Sequence, residues 1–190
     1  MKQYRLNIAA ALVIVAALFF TSCTQDEPTP TPENNQEAIT AITVSYVKLG
    51  TDGTPTTDTT SVTFDANGSP TPGFLSLSVG SSYLTLITFY DHDEHMNSEI
   101  TEEGTEHKIF FFPAQAGIIN YAYNDQDSNG NPIGLSGKTT ILNPGTTGLS
   151  IILRHGLNKN SAAAQGWNNA DYIQAGGEDD ANVSFDIQAE

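Results

Sequence analysis

The chain has 190 residues, with 22 aspartates and glutamates against 7 lysines and arginines, so its formal net charge at pH 7 is −15. A protein this negative repels phosphate backbones, which argues against nucleic acid as a partner. The same charge favours cations or basic partners, or serves solubility alone.

The first 22 residues have the features of a bacterial lipoprotein signal peptide. They carry Lys2 and Arg5, then an almost unbroken apolar run over residues 6–20, and small residues directly before Cys23. That run is shorter than the roughly 20 residues that a membrane-spanning helix needs, although an uncleaved anchor helix is the alternative. We therefore expect Cys23 to be lipidated, palmitate included, and the protein to be anchored in the outer membrane. Because Cys23 is the only cysteine, no thiol then remains for a disulfide, a zinc–thiolate site or nucleophilic catalysis.

Residues 23–38 predict a tether between the lipid and a folded domain. They are rich in proline, threonine and acidic residues and offer nothing to bury. Asp26 and Glu27 resemble the signal that exports some lipoproteins to the outer face of the outer membrane, and an ordinary polar tether on the periplasmic face is the alternative. Residues 39–190 have the length of one domain with a full core.

The rest of the chain predicts an all-β fold. No segment shows a sustained apolar period of 3.6 residues, and short runs with alternating apolar residues end in Gly, Pro, Asn and Thr. This pattern indicates an antiparallel β-sandwich of about nine strands, immunoglobulin-like or Greek-key. The predicted strands are 39–49, 59–65, 74–79, 83–90, 107–112, 118–124, 136–142, 149–155 and 182–188. In the long connection before the last strand, Ser161 is expected to cap a short helix that packs Trp167 or Tyr172 on the sandwich.

Alternating strand direction predicts that the charged loops share one end of the sandwich. The loops after every second strand are 66–73, 91–106, 125–135 and 156–181. With the first residue of the next strand, the second of these loops forms the stretch 91–107 (DHDEHMNSEITEEGTEH), which holds three of the four histidines. The loops at the other end carry almost no charge, so any charged site is expected at the first end.

Side-chain parity predicts which charged residues lean toward the core at that end, because residues two apart on a strand point the same way. His107, His155, Asp125 and Asp179 each share parity with apolar residues of the adjoining strand. Two carboxylates about 5 Å apart repel by roughly 3 kcal/mol at an effective dielectric near 20. Protonated histidine or a bound cation is therefore expected to supply a counter-charge.

The second charged loop matches the first half of a calcium-binding loop. Asp125, Asp127 and Asn129 alternate as oxygen donors and Gly130 follows, as in an EF-hand. The twelfth position is Ser136 rather than glutamate, so calcium would need a carboxylate from elsewhere. An ordinary polar turn is the alternative, because Asp, Asn and Gly also build hairpin turns.

The histidines predict a second kind of metal site, for zinc or copper, since imidazole suits both ions. His92 and His95 are three residues apart, which could bring both rings to one ion, and His107 and His155 lie at the same end. Solvated surface histidines are the alternative. The sequence holds no HExxH, no GxSxG and no phosphate-cradling loop, so we do not expect an enzyme.

The second half of the chain resembles a family of small secreted lipoproteins that often carry the label type 1 periplasmic-binding fold superfamily protein. The similarity spans residues 99–190, and its segments are 102–111 (EEGTEHKIFF), 125–135 (DQDSNGNPIGL), 153–155 (LRH) with Asn158 and Lys159, and 175–179 (AGGED). The resemblance implies a Gram-negative envelope lipoprotein that works beside an outer-membrane transporter. The family's label implies an alternating α/β fold, whereas the strand pattern predicts an all-β one.

Two functions of different classes remain. The first is a lipid-anchored binding protein whose acidic and histidine-bearing end takes up a divalent cation, for structure or for delivery to a TonB-dependent receptor. The second is a structural or adhesive surface lipoprotein with no metal site, whose charge serves solubility.

Overall fold

The structure is a computed structural model that describes residues 38–190, so the predicted signal peptide, Cys23 and all but the last residue of the predicted tether lie outside the described residues. The alternating apolar residues form strands, as predicted, and the strands build two sheets. In chain order they are β1 (Ala41–Leu49), β2 (Pro55–Phe64), β3 (Pro70–Thr71), β4 (Phe74–Leu77), β5 (Ser82–Asp91), β6 (Glu94–His95), β7 (Lys108–Pro113), β8 (Ile119–Tyr123), β9 (Ser136–Ile141), β10 (Gly145–His155) and β11 (Glu178–Ala189).

The first sheet has the order β3-β2-β1-β5-β9-β8, with β6 paired to β5, and the second has the order β4-β11-β10-β7. All neighbours are antiparallel except β4 and β11, which run parallel. The prediction of an all-β sandwich is thus confirmed, with two additional strands of two residues each, β3 and β6. Helical residues in the described part are limited to α1 (Asn97–Glu102) and two 3₁₀ turns, which does not fit an alternating α/β fold.

The core lies between the two sheets. Val44 and Phe64 of the first sheet and Phe111 and Phe185 of the second are at most 4% exposed. The rings of Phe64 and Phe185 pack edge to face with their centroids 6.1 Å apart. Burial of each such side chain contributes roughly 1.5–3 kcal/mol, and the two-residue period of the sequence places them all on the inner faces.

The connection between β10 and β11 covers part of the outer face of the second sheet. Phe110 on β7 packs under Leu157, Ala164 and Ala175 of this connection in a second apolar cluster. The short helix predicted here is a 3₁₀ turn, Ala162–Ala164, whose N-cap Ser161 accepts a hydrogen bond from the backbone of Ala163. Trp167 packs against the main core and Tyr172 against the second cluster, as expected.

A lysine is buried under the same connection. Lys108 is 3% exposed, and its Nζ donates to the backbone oxygens of Ala164 and Gly166 at 2.5 and 3.0 Å. The ammonium also lies 5.0 Å from the centre of the Phe110 ring. Burial, helped by the charge of Lys159, lowers the pKa of Lys108 to about 8.

The charged loops meet at one end of the sandwich, as strand alternation predicts. The ammonium of Lys159, in the connection before β11, donates to the backbone oxygens of Gly104 and His107 and lies 2.8 Å from Asp127 Oδ2. Three of the predicted loops are therefore tied together by one side chain. Among residues 38–190 no helix has the length and apolar character that crossing a membrane requires.

Candidate metal centre

Two histidines stack at the charged end of the second sheet. The β7–β10 ladder ends with Lys108 opposite Arg154, so His107 and His155 are the next cross-strand neighbours on the inner face. Their rings are 4.4 Å apart between centroids, with an interplanar angle of 25°. His107 is fully buried, whereas the side chain of His155 keeps 12% of its surface exposed. Parity therefore predicted both positions correctly.

The neighbouring strand β11 adds a carboxylate to the pair through a β-bulge. Arg154 pairs with Asp179 and Leu153 pairs with Ala181, so Asp180 is an extra residue in the ladder. The bulge turns Asp180 inward, and its side chain is only 1% exposed. A bulge of this kind inserts one residue, so side chains beyond it point to the opposite face of the sheet from the one that strict alternation predicts. Asp180 therefore points inward in place of the adjacent Asp179.

The expectation that Asp179 leans inward is therefore corrected. Its side chain is 27% exposed and forms an ion pair of 2.5 Å with Arg154 Nη1. The hydroxyl of Tyr172 donates to its second oxygen at 3.1 Å. Asp179 thus belongs to the outer face of the sheet, where it holds Arg154 and Tyr172.

The carboxylate of Asp180 faces both imidazoles. Its Oδ2 lies 3.6 Å from Nε2 of His107 and 3.8 Å from Nδ1 of His155. No residue in the described range 38–190 donates a hydrogen bond to either carboxylate oxygen. Burial of a carboxylate without a compensating charge costs several kcal/mol. The geometry therefore calls for positive charge between this carboxylate and the two rings.

The other nitrogen of each ring faces an acceptor on the turn after α1. His107 Nδ1 lies 3.3 Å from the backbone oxygen of Glu103, and His155 Nε2 lies 3.5 Å from Glu106 Oε2. An imidazole that donates from one nitrogen presents the lone pair of the other, which is how outer acceptors orient histidine ligands in metal sites.

Glu103 brings a second carboxylate to the histidine pair. One ligand atom from each of Glu103, His107 and His155 lies within 4.8 Å of the others, and residues 38–190 contain no other group of three acidic, histidine or cysteine residues that meets this criterion. Glu103 directly follows α1 and its side chain is exposed. The turn is tight at Gly104, where a Cβ would meet Ile133 Cδ1 at 2.8 Å and Thr101 O at 2.9 Å. The site therefore has a buried side at Asp180 and an exposed side at Glu103.

The loop predicted to bind calcium is closed by its own hydrogen bonds. Asp127 Oδ1 accepts from the backbone of Asn129 and Asn131 at 2.8 and 2.9 Å. Asp125 accepts from the backbone of Gly134 and Ser136 at 2.8 and 3.0 Å. Side chains that bind their own loop in this way build ordinary polar turns. The arrangement favours the polar-turn alternative over calcium.

A lysine supplies the positive charge at that loop. Lys159 Nζ lies 2.8 Å from Asp127 Oδ2, and both side chains are at most 3% exposed. Burial acts to raise the pKa of Asp127, but the hydrogen bonds from Lys159 and from the backbone of Asn131 and Asn129, together with the charge of Lys159, outweigh it, so the pKa lies below its ordinary value. Burial lowers the pKa of Lys159, and Asp127 opposes that shift. The sequence pattern of the loop did not predict that Lys159 is the partner of Asp127.

His92 and His95 lie apart from the stacked pair's group of ligand atoms. Both are exposed on the β5–β6 hairpin. His92 Nδ1 is 2.7 Å from Asp91 Oδ1, and the His95 ring packs on Tyr90 with centroids 4.8 Å apart. This placement fits the alternative of solvated surface histidines.

Two imidazoles with nearby carboxylates form a donor set for a transition metal, because nitrogen donors suit zinc and copper. Calcium instead takes six to eight oxygen ligands, which this cluster does not offer. A scan against protein-family models and searches of curated proteins and of solved structures found no match for this chain.

Proposed function

We propose that this protein is a lipid-anchored envelope protein that binds a divalent transition metal ion, zinc or copper, through His107, His155 and Glu103. The observation that carries the proposal is the stacked histidine pair, whose ligand atoms lie within 4.8 Å of one another and of a Glu103 oxygen. His155 is the last residue of β10 and His107 directly precedes β7, and ligands anchored at rigid strands are held in place better than ligands on loops. The ion supplies the positive charge that the surrounding carboxylates require.

The envelope location is supported by the sequence of the first 23 residues and by the resemblance of the second half to secreted lipoproteins. A metal-binding domain held at the outer membrane has an outer-membrane transporter within reach of its tether. Delivery of the ion to such a receptor is the role that would require both the lipid anchor and the metal site.

Thermal unfolding tests the metal site. In detergent, the full protein is expected to have a higher melting temperature with Zn²⁺ than with EDTA. At a free Zn²⁺ concentration 100 times the dissociation constant, binding adds about 2.7 kcal/mol to the free energy of unfolding, which raises the melting temperature by roughly 5–10 °C for a domain of this size. Calcium is expected to leave the melting temperature unchanged, because the site lacks enough oxygen ligands. Differential scanning calorimetry with each ion makes the comparison.

Histidine variants provide the matched control for that experiment. His155→Ala is expected to abolish the zinc shift, whereas a variant with both His92→Ala and His95→Ala is expected to keep it. The absence of a shift in the unaltered protein would contradict the proposal and favour the structural or adhesive alternative.

Palmitate labelling tests the anchor. The unaltered chain, expressed in a Gram-negative host, is expected to incorporate labelled palmitate and to sediment with the outer membrane. Cys23→Ser is expected to lose both properties, because the acceptor thiol is gone. Equal labelling of the two proteins would exclude lipidation at Cys23.

A further inference from the structure

We infer that the outer face of the first sheet is the surface through which two copies of this chain associate, with Leu86 of each copy at the centre of the interface. The face is formed by β2, β1, β5, β9 and β8, which lie side by side in that order. This inference goes beyond the proposed function and does not depend on metal binding.

The face contains no acidic residue. Alternation of burial along each strand shows that the odd-numbered residues of β1 and β2 and the even-numbered residues of β5, β8 and β9 point outward. None of them is an aspartate or a glutamate, although the chain has 22 such residues, and Lys138 is the one charged residue among them. Two copies with a formal charge of −15 each repel one another. They therefore approach with the least repulsion through this face.

Leu86 is the most prominent apolar residue of the face. It is 39% exposed and lies on β5, the middle strand of the five. Leu84, two residues away, pairs with Val47 on β1, and both are partly exposed. Every outward residue of the five strands is at least partly exposed, so no segment of residues 38–190 covers the face.

The size of the face suits a weak dimer. The five strands have five to ten residues each, and with a spacing of about 4.8 Å and a rise of about 3.3 Å per residue they form a face of roughly 600 Å². Two such faces together bury about 1,200 Å², the lower limit for specific interfaces. Anchoring in one membrane raises the effective concentration of the second copy. We therefore expect the dimer to form in the membrane and to dissociate on dilution in detergent.

Aligned packing of the two sheets determines which residues meet. Packed sheets keep their strand directions within about 30° of each other. A twofold axis along β5 then places β5 of one copy over β5 of the other, because β5 is the middle strand. Leu86 faces Leu86 of the second copy, whereas Lys138 on β9 faces β1. The two lysines are therefore kept apart.

The same axis brings both chain entries to one end of the dimer. The chain enters β1 beside the end of β5, where the backbone N–H of Thr40 donates to the backbone oxygen of Tyr90 at 2.8 Å. An axis along the strands leaves this point at the same end in both copies, whereas an axis across the strands would separate the two points by the length of the sandwich. The first arrangement suits two proposed lipid anchors in one membrane.

Sedimentation velocity of the full protein in detergent, across a dilution series, tests the interface. Leu86→Glu places like charges on both sides of the axis and is expected to raise the dissociation constant of the dimer by at least about 100-fold. Ile173→Glu makes the same change of charge at an isoleucine that is 62% exposed in the connection over the second sheet, and it is expected to dimerise as the unaltered protein does. A monomer at every concentration of the unaltered protein, or an unchanged dissociation constant in Leu86→Glu, would overturn the inference.

Cross-linking in outer-membrane fractions tests the interface with a second pair of variants. Cys23 is the only cysteine and is proposed to be lipidated, so Leu86→Cys carries one free thiol. A bismaleimide reagent that spans about 10 Å, the spacing of packed sheets, is expected to link two copies of Leu86→Cys, with or without EDTA. Ile173→Cys and the unaltered protein are expected to stay unlinked. Equal cross-linking of Leu86→Cys and Ile173→Cys would indicate random collisions and would overturn the inference, while zinc binding could still be present.

Discussion

Replacement of Lys159 by methionine is expected to destabilise the protein by about 3–5 kcal/mol, the effect of breaking a buried ion pair from one side. Methionine fills much of the same volume but leaves Asp127 as an uncompensated buried charge. It also leaves the backbone oxygens of Gly104 and His107, now 2.7 and 2.9 Å from the ammonium, without that donor. Urea unfolding followed by circular dichroism measures the loss.

An exposed lysine provides the control for this substitution. Lys138 on β9 is exposed, and Lys138→Met is expected to change the free energy of unfolding by no more than about 0.5 kcal/mol. Equal stabilities of Lys159→Met and the unaltered protein would show that the three loops hold together without the ammonium.

The same substitution is expected to affect the proposed metal centre. The two carbonyls that Lys159 binds flank the turn that carries Glu103 and Glu106, so loss of the ammonium frees this turn from the connection before β11. We expect zinc affinity, measured by calorimetric titration, to fall in Lys159→Met. Asp127, which the sequence predicted as a calcium ligand, thus forms an ion pair that is expected to support the proposed transition-metal site.

The strands could be predicted because alternation of apolar and polar residues is a local property of the chain. Each predicted strand has a counterpart, and the ends differ by a few residues where pairing continues into polar segments. The clearest case is β11, which begins at Glu178 rather than at residue 182, because Asp179 and Ala181 still pair with β10. Hydrophobic pattern alone cannot place such an end, since the added residues are polar.

The candidate metal centre could be predicted only in part, for three physical reasons. His107 and His155 follow from parity because their ladder is regular up to its last pair. The inward orientation of Asp180 could not be predicted, because one inserted residue reverses parity and no residue in this stretch indicates a bulge. Lys159 was missed as the partner of Asp127 because contacts between distant loops leave no periodic signal. Glu103 was missed because the stretch that contains it was expected to be a loop and instead forms α1 and a tight turn.

Gly177→Ala is expected to destabilise the protein by roughly 2–5 kcal/mol and to disable the metal centre as well. Gly177 has a φ of +75°, which costs a residue with a Cβ about 1–2 kcal/mol. A Cβ here would also overlap the backbone oxygen of His155 and lie 2.9 Å from the carbonyl carbon of Gly156, and such overpacking typically adds about 1–3 kcal/mol. Relief of the overlap has to part the end of β10 from the start of β11, and this moves His155 away from Asp180.

The adjacent glycine separates the two effects of this substitution. Gly176 has a φ of +86°, and a Cβ there would meet nothing within 4 Å. Gly176→Ala is therefore expected to lose only about 1–3 kcal/mol, the cost of a sparsely populated backbone conformation, and to bind zinc as the unaltered protein does. Urea unfolding and zinc titration of both variants make the comparison. Equal zinc affinity in Gly177→Ala and Gly176→Ala would mean that the separation of these two strand ends does not set the geometry of the ligands, whereas a loss confined to Gly177→Ala ties metal binding to the close approach of β10 and β11.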